Sequence, residues 1–158
     1  MIYIVRGIGQ GPTEMAAYDS ALADTNLHNY NLIAVSSIIP AQESVKIVDS
    51  APDLGPAGNQ LTVVEAKIVS PPKEEQAVTA GLGWATGSSS GIFYEATGTT
   101  PESVENEVLE GLNHGCNIRR STFENRNSVF STVETHSEEF TAAVVIAAYG
   151  ESEPINDK

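Results

Sequence analysis

The chain has 158 residues, 41% of them hydrophobic, and this length and composition fit a single globular domain. Its 8 lysine and arginine residues against 21 aspartate and glutamate residues give a net charge of −13, which excludes nucleic-acid binding of the usual electrostatic kind. The single cysteine, Cys116, excludes an intrachain disulfide, and no apolar run reaches the roughly 18 residues of a membrane-spanning helix, so we expect a cytoplasmic protein that binds no membrane.

The acidic residues are spread along the chain, for example at Asp49, Glu74 and Glu139. This spread favours a solvated acidic surface suited to high salt over a local field that steers a cationic substrate, and both explanations stay open. We expect a protein from a salt-rich environment, whose stability rises with added salt.

The N-terminal part is predicted to form a strand, a helix and a second strand. Residues 2–6 alternate and are rich in β-formers, and they lack the basic and apolar regions of a signal peptide. Thr13 is predicted to cap a helix that runs to about residue 27. A short apolar strand at 31–35 follows and ends in Ser36 and Ser37.

Strands dominate the rest of the predicted structure. Residues 44–59 resemble a loop, and a second helix is predicted from a cap at Thr100 to an end at Gly115. The other predicted strands are 61–69, 78–86, 92–95, 128–135 and 140–149. This order predicts an α+β sandwich in one domain, residues 1–150, with a polar and frayed tail at 151–158.

Two common cofactor motifs are not supported by the spacing. The glycines at 7, 9 and 11 have Pro12 where a dinucleotide-binding fingerprint needs its third glycine, so we predict a tight turn there. His28, His114 and His136 are not spaced as metal ligands, and we expect no metal.

The Ser36-Ser37 pair carries little information alone, but it permits a specific reaction. The Ser37 hydroxyl can attack the Ser36 carbonyl and convert the peptide bond to an ester. Elimination across Cα–Cβ of Ser37 then cuts the chain, and hydrolysis of the resulting dehydroalanine leaves a pyruvoyl ketone at the new N-terminus. Such a ketone condenses with an amine and accepts electrons, which is the role of pyridoxal phosphate without a bound cofactor.

The context of this pair resembles the pyruvoyl-dependent arginine decarboxylase family. Residues 31–40, NLIAVSSIIP, match the pattern Asn-Leu-Ile-x-x-Ser-Ser-Ile-x-Pro, and a helical Asp-x-x-Leu precedes it at Asp19 and Leu22. A Glu-x-x-Gly begins at Glu95. The resemblance runs from residue 2 to about residue 150, with departures at 60–66 and in the acidic tail.

The resemblance implies a role for each matching residue. Cleavage would fall between Ser36 and Ser37 and give fragments 1–36 and 37–158. The implied roles are the pyruvoyl group at Ser37, positioning of the cleavage site and the active site by Asn31, pairing with the substrate guanidinium by Asp19, contact with its alkyl chain by Leu22 and Ile38, and protonation of Cα by Glu95.

Elementary chemistry is compatible with these roles. Asp19 and Leu22 are three residues apart on one helix and are expected to share a face, and a carboxylate pairs well with a planar guanidinium. Glu95 is predicted to end an apolar strand, where burial would favour its protonated form.

The resemblance also implies a layered αββα sandwich of mainly antiparallel strands with two main helices, assembled as a trimer of cleaved protomers with active sites between subunits. The implied activity is decarboxylation of L-arginine to agmatine, a polyamine precursor, through a Schiff base and without metal or pyridoxal phosphate. One alternative is the same chemistry on lysine or ornithine. Another is an unprocessed, non-catalytic trimer that acts as a binding or regulatory subunit.

Overall fold

Two β-sheets lie face to face, with one long helix on the outer side of each, in a computed structural model that describes residues 1–134 and 137–155. The helices are α1 (Glu14–Thr25) and α2 (Pro101–Arg119). The strands are β1 (Ile2–Gly11), β2 (Asn31–Ala34), β3 (Ile38–Ile39), β4 (Val45–Ile47), β5 (Gln60–Ser70), β6 (Val78–Thr86), β7 (Gly91–Gly98), β8 (Asn125–Val133) and β9 (Phe140–Tyr149).

The five-stranded sheet has the order β2-β5-β9-β1-β4, and the four-stranded sheet has the order β3-β7-β6-β8. Most neighbouring strands are antiparallel, while β1–β4 and β2–β5 are parallel. The nearly continuous apolar run of β9 predicts a strand covered on both faces. This is confirmed: Ala143, Val145 and Ala147 pack between the sheets, while the alternate residues pack beneath α1.

The four layers follow from three apolar clusters. One cluster fills the space between the sheets, a second lies between α1 and the five-stranded sheet, and a third lies between α2 and the four-stranded sheet. The α+β prediction is therefore confirmed, in the layer order αββα.

The glycines of β1 pack against a helix and do not form the tight turn predicted from the sequence. Gly7, Gly9 and Gly11 alternate along the strand and so share one face, which lies against α1. A Cβ on Gly7 would be 2.5 Å from the carbonyl oxygen of Ala21. The missing side chains allow α1 to approach the sheet closely, and its contacting residues are accordingly small, with Ala17 and Ala21 fully buried.

The helix α2 continues one turn beyond its predicted end. Gly115 is inside the helix, where a Cβ would be 2.5 Å from the Tyr94 ring, and the chain leaves the helix at Arg120 with a left-handed φ of 53°. Gly115 thus serves close packing, because a helical glycine removes a side chain as readily as it ends a helix. The predicted caps Thr13 and Thr100 are confirmed.

Two segments are more ordered than predicted. The expected loop at 44–59 contains β4 and contributes Leu54 to the core. The expected tail at 151–158 is bonded to the fold at its start, because Glu153 exchanges two backbone hydrogen bonds with Gln60 and the Ser152 N–H donates to the Leu54 carbonyl. The predicted ends at 135 and 156–158, and His136, lie outside the described residues.

Across the described part of the chain, neither α1 nor α2 has the length and apolarity that a membrane-spanning helix requires.

Glycine packing beneath α1 is testable by substitution. We expect Gly9→Ala to lower the free energy of unfolding by about 3 kcal/mol, since its Cβ would meet the backbone nitrogen of Ala21, which no side-chain rotation can move. Urea denaturation at constant salt measures the change. Gly98→Ala is the matched control, because its Cβ would meet only side-chain atoms, Val104 Cγ2 at 3.1 Å and Ser103 Oγ at 3.4 Å, and we expect a loss below about 1 kcal/mol. Equal effects of the two substitutions would contradict the packing argument.

Candidate active site

The backbone passes from one sheet to the other at Ser36. The Val35 N–H donates to the Val63 carbonyl of β5 at 3.0 Å, in the five-stranded sheet. Two residues later, the Ser37 carbonyl accepts from the Phe93 N–H of β7 at 2.8 Å, in the four-stranded sheet. The Ser36–Ser37 peptide bond therefore lies in a short crossing that is fixed at both ends.

The crossing is bent at Ser37, and three successive carbonyl groups accept hydrogen bonds. The Ile38 N–H donates to the Ser36 carbonyl at 2.6 Å and closes a three-residue turn. The Ser37 carbonyl is held by Phe93, and the Ile38 carbonyl accepts from the Tyr149 hydroxyl at 2.8 Å. The bond from Ile38 gives the Ser36 carbonyl oxygen a donor that would stabilise negative charge developing on it.

The Ser37 hydroxyl donates to a carboxylate. Its Oγ is 3.2 Å from Oε2 of Glu95. Glu95 lies inside β7 opposite Leu82 of β6, and not at a strand end as predicted. Its side chain is exposed in this chain, so the burial expected from the sequence is not found. The structure nevertheless brings together Ser37 and Glu95, which are 58 residues apart in the sequence.

A cavity of about 290 Å³ opens in front of this pair. Apolar and aromatic residues from β3 and β7 line it, together with the two serines of the crossing, a glutamate from β7 and an arginine from α2. Its described lining consists of Ser36, Ser37, Ile38, Ile92, Phe93, Tyr94, Glu95 and Arg119. Ile38 is 41% exposed and is available for contact with a ligand.

Arg119 is a cavity residue that sequence reasoning missed. It belongs to the last turn of α2, beyond the predicted helix end at Gly115. Gly111, Gly115 and Arg119 are spaced by four residues, which places them along one line of the helix. That spacing was the available signal, but it becomes informative only when the helix is known to continue.

Asp19, Leu22 and Asn31 do not line this cavity in the chain that the structure describes. Asp19 is exposed on α1, whereas Leu22 is 7% exposed and packs beneath the helix. In this chain the two side chains do not present one common exposed face, and their contacts with a substrate remain predictions. Asn31 is at the start of β2, and its side-chain amide donates to the Gly58 carbonyl at 2.8 Å.

Tyr149 connects the two sheets behind the crossing. It is the last residue of β9 and packs against the Phe93 ring, with the ring centroids 6.1 Å apart. Burial, and secondarily the charge of Glu95, raise the pKa of Tyr149 to about 12. The phenol is thus neutral at ordinary pH and remains a hydrogen-bond donor to Ile38.

Among the described residues, no group of three or more histidine, cysteine, aspartate or glutamate side chains could hold a metal ion.

Comparisons with known proteins agree on one family. The model of the family described as Pyruvoyl-dependent arginine decarboxylase (PvlArgDC) matches residues 1–154. A protein of Halobacterium salinarum named pyruvoyl-dependent arginine decarboxylase is 50% identical, over 99% of this chain and 98% of its own length. Proteins of the same name from Thermococcus sibiricus and Methanothermobacter thermautotrophicus are 33% and 31% identical. The matches cover 70% of this chain and 70% of the relative in the first case, and 75% and 76% in the second.

The raised pKa of Tyr149 predicts that the stability of the protein falls at alkaline pH, as this phenol ionises. Because the folded-state pKa of Tyr149 is above its ordinary 10.0, its contribution to stability is complete below about pH 10 and is lost as the pH rises towards 12. We expect Glu95→Gln to lower the pKa of Tyr149, while burial still keeps it above 10.0. Ultraviolet difference titration against Tyr149→Phe isolates this phenol. An unchanged pKa in Glu95→Gln would show that the carboxylate does not act on Tyr149.

Proposed function

Because this chain belongs to the pyruvoyl-dependent arginine decarboxylase family, we propose that it cuts its own backbone between Ser36 and Ser37 and decarboxylates arginine to agmatine. The observation that carries the proposal is the hydrogen bond from the Ser37 hydroxyl to Glu95, at the peptide bond that crosses between the sheets. We also propose that the enzyme works in the cytoplasm and in high salt, and the −13 net charge supports the second point.

The first step is attack of Ser37 on its own peptide bond. Glu95 accepts the hydrogen bond that orients the Ser37 hydroxyl. Ser37 Oγ bonds to the Ser36 carbonyl carbon, the hydroxyl proton passes to the Ser37 nitrogen, and the C–N bond breaks to leave an ester. The Ile38 N–H stabilises the negative charge on the Ser36 oxygen meanwhile. Loss of the Ser37 Cα proton then expels the Ser36 carboxylate and ends the covalent connection between 1–36 and 37–158.

The surroundings of residue 37 fit the group that this cleavage leaves. Water addition and loss of ammonia convert the resulting double bond to a ketone, whose neighbouring carbonyl is still held by the Phe93 N–H. Once formed there, the ketone would supply an electrophile for the substrate amine and a sink for the electron pair released with carbon dioxide. Glu95, beside residue 37, returns a proton to Cα of the substrate.

Substrate contacts divide between this chain and a neighbour. Ile38 is at the cavity and would contact the alkyl chain. Asp19 would pair with the guanidinium and Asn31 would help position the cleavage site and the substrate, but both lie outside their own chain's cavity. We therefore propose that they serve the site of an adjacent subunit in a trimer. Leu22 keeps its proposed contact with the alkyl chain only as a prediction, because it packs beneath α1.

The surface beside the site supports such an assembly. β2 is an edge strand of the five-stranded sheet, and Ile33 and Val35 on and after it are 43% and 39% exposed. Exposed apolar side chains on an unpaired strand edge are typical of surfaces that another chain covers. A neighbour seated there would reach the crossing directly.

Arginine is favoured over lysine and ornithine because a carboxylate such as Asp19 can accept two parallel hydrogen bonds from one edge of a planar guanidinium. The relatives' shared name supports the same choice. An unprocessed binding subunit is not favoured, because the relatives share the name of an enzyme and the hydrogen bond from Ser37 to Glu95 supports a role in cleavage.

Intact mass tests the cleavage. We expect the purified protein to consist of fragments 1–36 and 37–158, the larger beginning with a ketone, and to release carbon dioxide from arginine faster than from lysine or ornithine.

Ser37→Ala should remain one chain and be inactive. Glu95→Gln should cleave but turn over at least about 100-fold more slowly, because the proton donor is lost. An uncleaved wild type in native-like salt would overturn the proposal, and normal turnover by Glu95→Gln would remove its proton-donor role.

Mixed assembly tests the division between subunits. Co-expressed Asp19→Asn and Ser37→Ala chains should recover activity that neither has alone, because an intact Ser37 can then face an intact Asp19 of its neighbour. Carbon dioxide release by the mixture measures the recovery. Ser37→Ala mixed with Glu95→Gln is the matched control and should recover none, since that pair is bonded within one chain. No recovery in the first mixture would contradict the shared site.

A further inference from the structure

A cation lies in the same cavity that must receive a cationic substrate. Arg119 lines the cavity with Ser37 and Glu95. Among the described lining residues, it is the one with a positively charged side chain. A positive charge there repels the guanidinium end of arginine and attracts a carboxylate. The charge pattern of the cavity therefore distinguishes the two ends of the substrate.

The position of Arg119 is set by the glycine face of α2. A Cβ on Gly111 or on Gly115 would be 2.5 Å from the ring of Tyr94, so the helix lies directly on β7. Arg119 follows Gly115 by one turn on the same line of the helix and emerges where Tyr94 and Glu95 line the cavity. The close packing of α2 on β7 thus positions Arg119 at the cavity.

The Arg119 guanidinium makes a hydrogen bond to its own helix and keeps further N–H donors for a ligand. Its Nη1 donates to the Gly115 carbonyl at 3.0 Å, which fixes the side chain along its own helix. A guanidinium has five N–H donors in a planar fork, and this bond uses one of them. The planar fork suits a carboxylate, which accepts two parallel hydrogen bonds.

We propose that Arg119 is a specificity-determining residue that binds the α-carboxylate of the substrate and so orients its amine towards residue 37. The inference rests on the proposed function and adds to it the recognition of an α-amino acid over a simple amine. Arginine has this carboxylate, whereas agmatine, its decarboxylated product, does not. Loss of the carboxylate removes the partner of Arg119, which favours release of the product.

The expected effect is moderate and falls on binding. Arg119 is exposed, and solvent weakens exposed ion pairs, so we expect Arg119→Gln to raise the KM for arginine about five-fold. The kcat should not fall, because a bound cation stabilises the carboxylate before it leaves as carbon dioxide and gives no advantage afterwards. Arg119→Lys, which keeps the charge, should recover part of the affinity.

Direct binding separates this inference from the proposed function. Full-length protein carrying Ser37→Ala is titrated calorimetrically with arginine and with agmatine, alone and combined with Arg119→Gln. Arg120→Gln is the matched control, since it removes the same charge one residue away and does not appear in the described lining. We expect Arg119→Gln to weaken the binding of arginine about five-fold and to leave the binding of agmatine almost unchanged. Arg120→Gln should change neither affinity.

Each outcome decides. Selective loss of arginine binding, repeated as a KM change in the cleaved enzyme, supports the assignment. Equal weakening of arginine and agmatine, or an equal effect of Arg120→Gln, overturns it. If the wild type fails to cleave, the proposed function fails, and the binding comparison in the Ser37→Ala background still judges Arg119.

Discussion

The crossing of the backbone between the two sheets is the constraint on which the site depends. Packed β-sheets lie about 10 Å apart, and the chain leaves one at Val35 and joins the other at Ser37. Such a short passage needs a sharp bend, and the Ile38 N–H to Ser36 carbonyl bond closes it. The same bond gives an N–H donor to the Ser36 carbonyl oxygen, on which negative charge would develop during the proposed cleavage. The bend that joins the layers therefore also supplies a donor to the carbonyl group that the proposed cleavage would attack.

Both helices depend on glycines for their distance from the sheets. The glycines of β1 admit the backbone of α1, and the glycines of α2 admit the ring of Tyr94. Small residues at these contacts remove side-chain volume and let backbone approach backbone. In α2 the result reaches the site, because the helix surface that lies on Tyr94 continues to Arg119.

Periodic apolar patterns predicted much of the fold. The bounds of β6 and β9, the caps at Thr13 and Thr100, and the α+β class agree with the structure because each depends on local spacing or on burial of a long run. The αββα layer order was implied by the family resemblance. The glycines were predicted wrongly, because a glycine in a sequence indicates a turn or a helix end, whereas the residue that it packs against is distant along the chain. Short β4 has too few residues for a periodic signal.

The candidate site was predictable only in part for a related reason. Motif resemblance pointed to Ser37 and Glu95, and the structure places them in hydrogen-bond contact. The exposure of Glu95 could not be predicted from the sequence of β7, because it depends on how far the other sheet extends over that strand. Arg119 was not predicted as a site residue, because α2 was expected to end at Gly115. The roles proposed for Asp19 and Asn31 depend on a second chain, about which one chain's periodicity carries no information.

The pairing of β1 has a consequence for a molecule cut after Ser36. The 1–36 segment supplies β1, α1 and β2, and β1 lies between β9 and β4 with ten residues paired to β9. A cut at the crossing would leave this pairing untouched, so the small fragment would remain as an integral strand of the sheet. Unfolding would then also be dissociation of two polypeptides. By mass action, the melting temperature of the cut protein would rise with its own concentration, which that of an intact monomer does not.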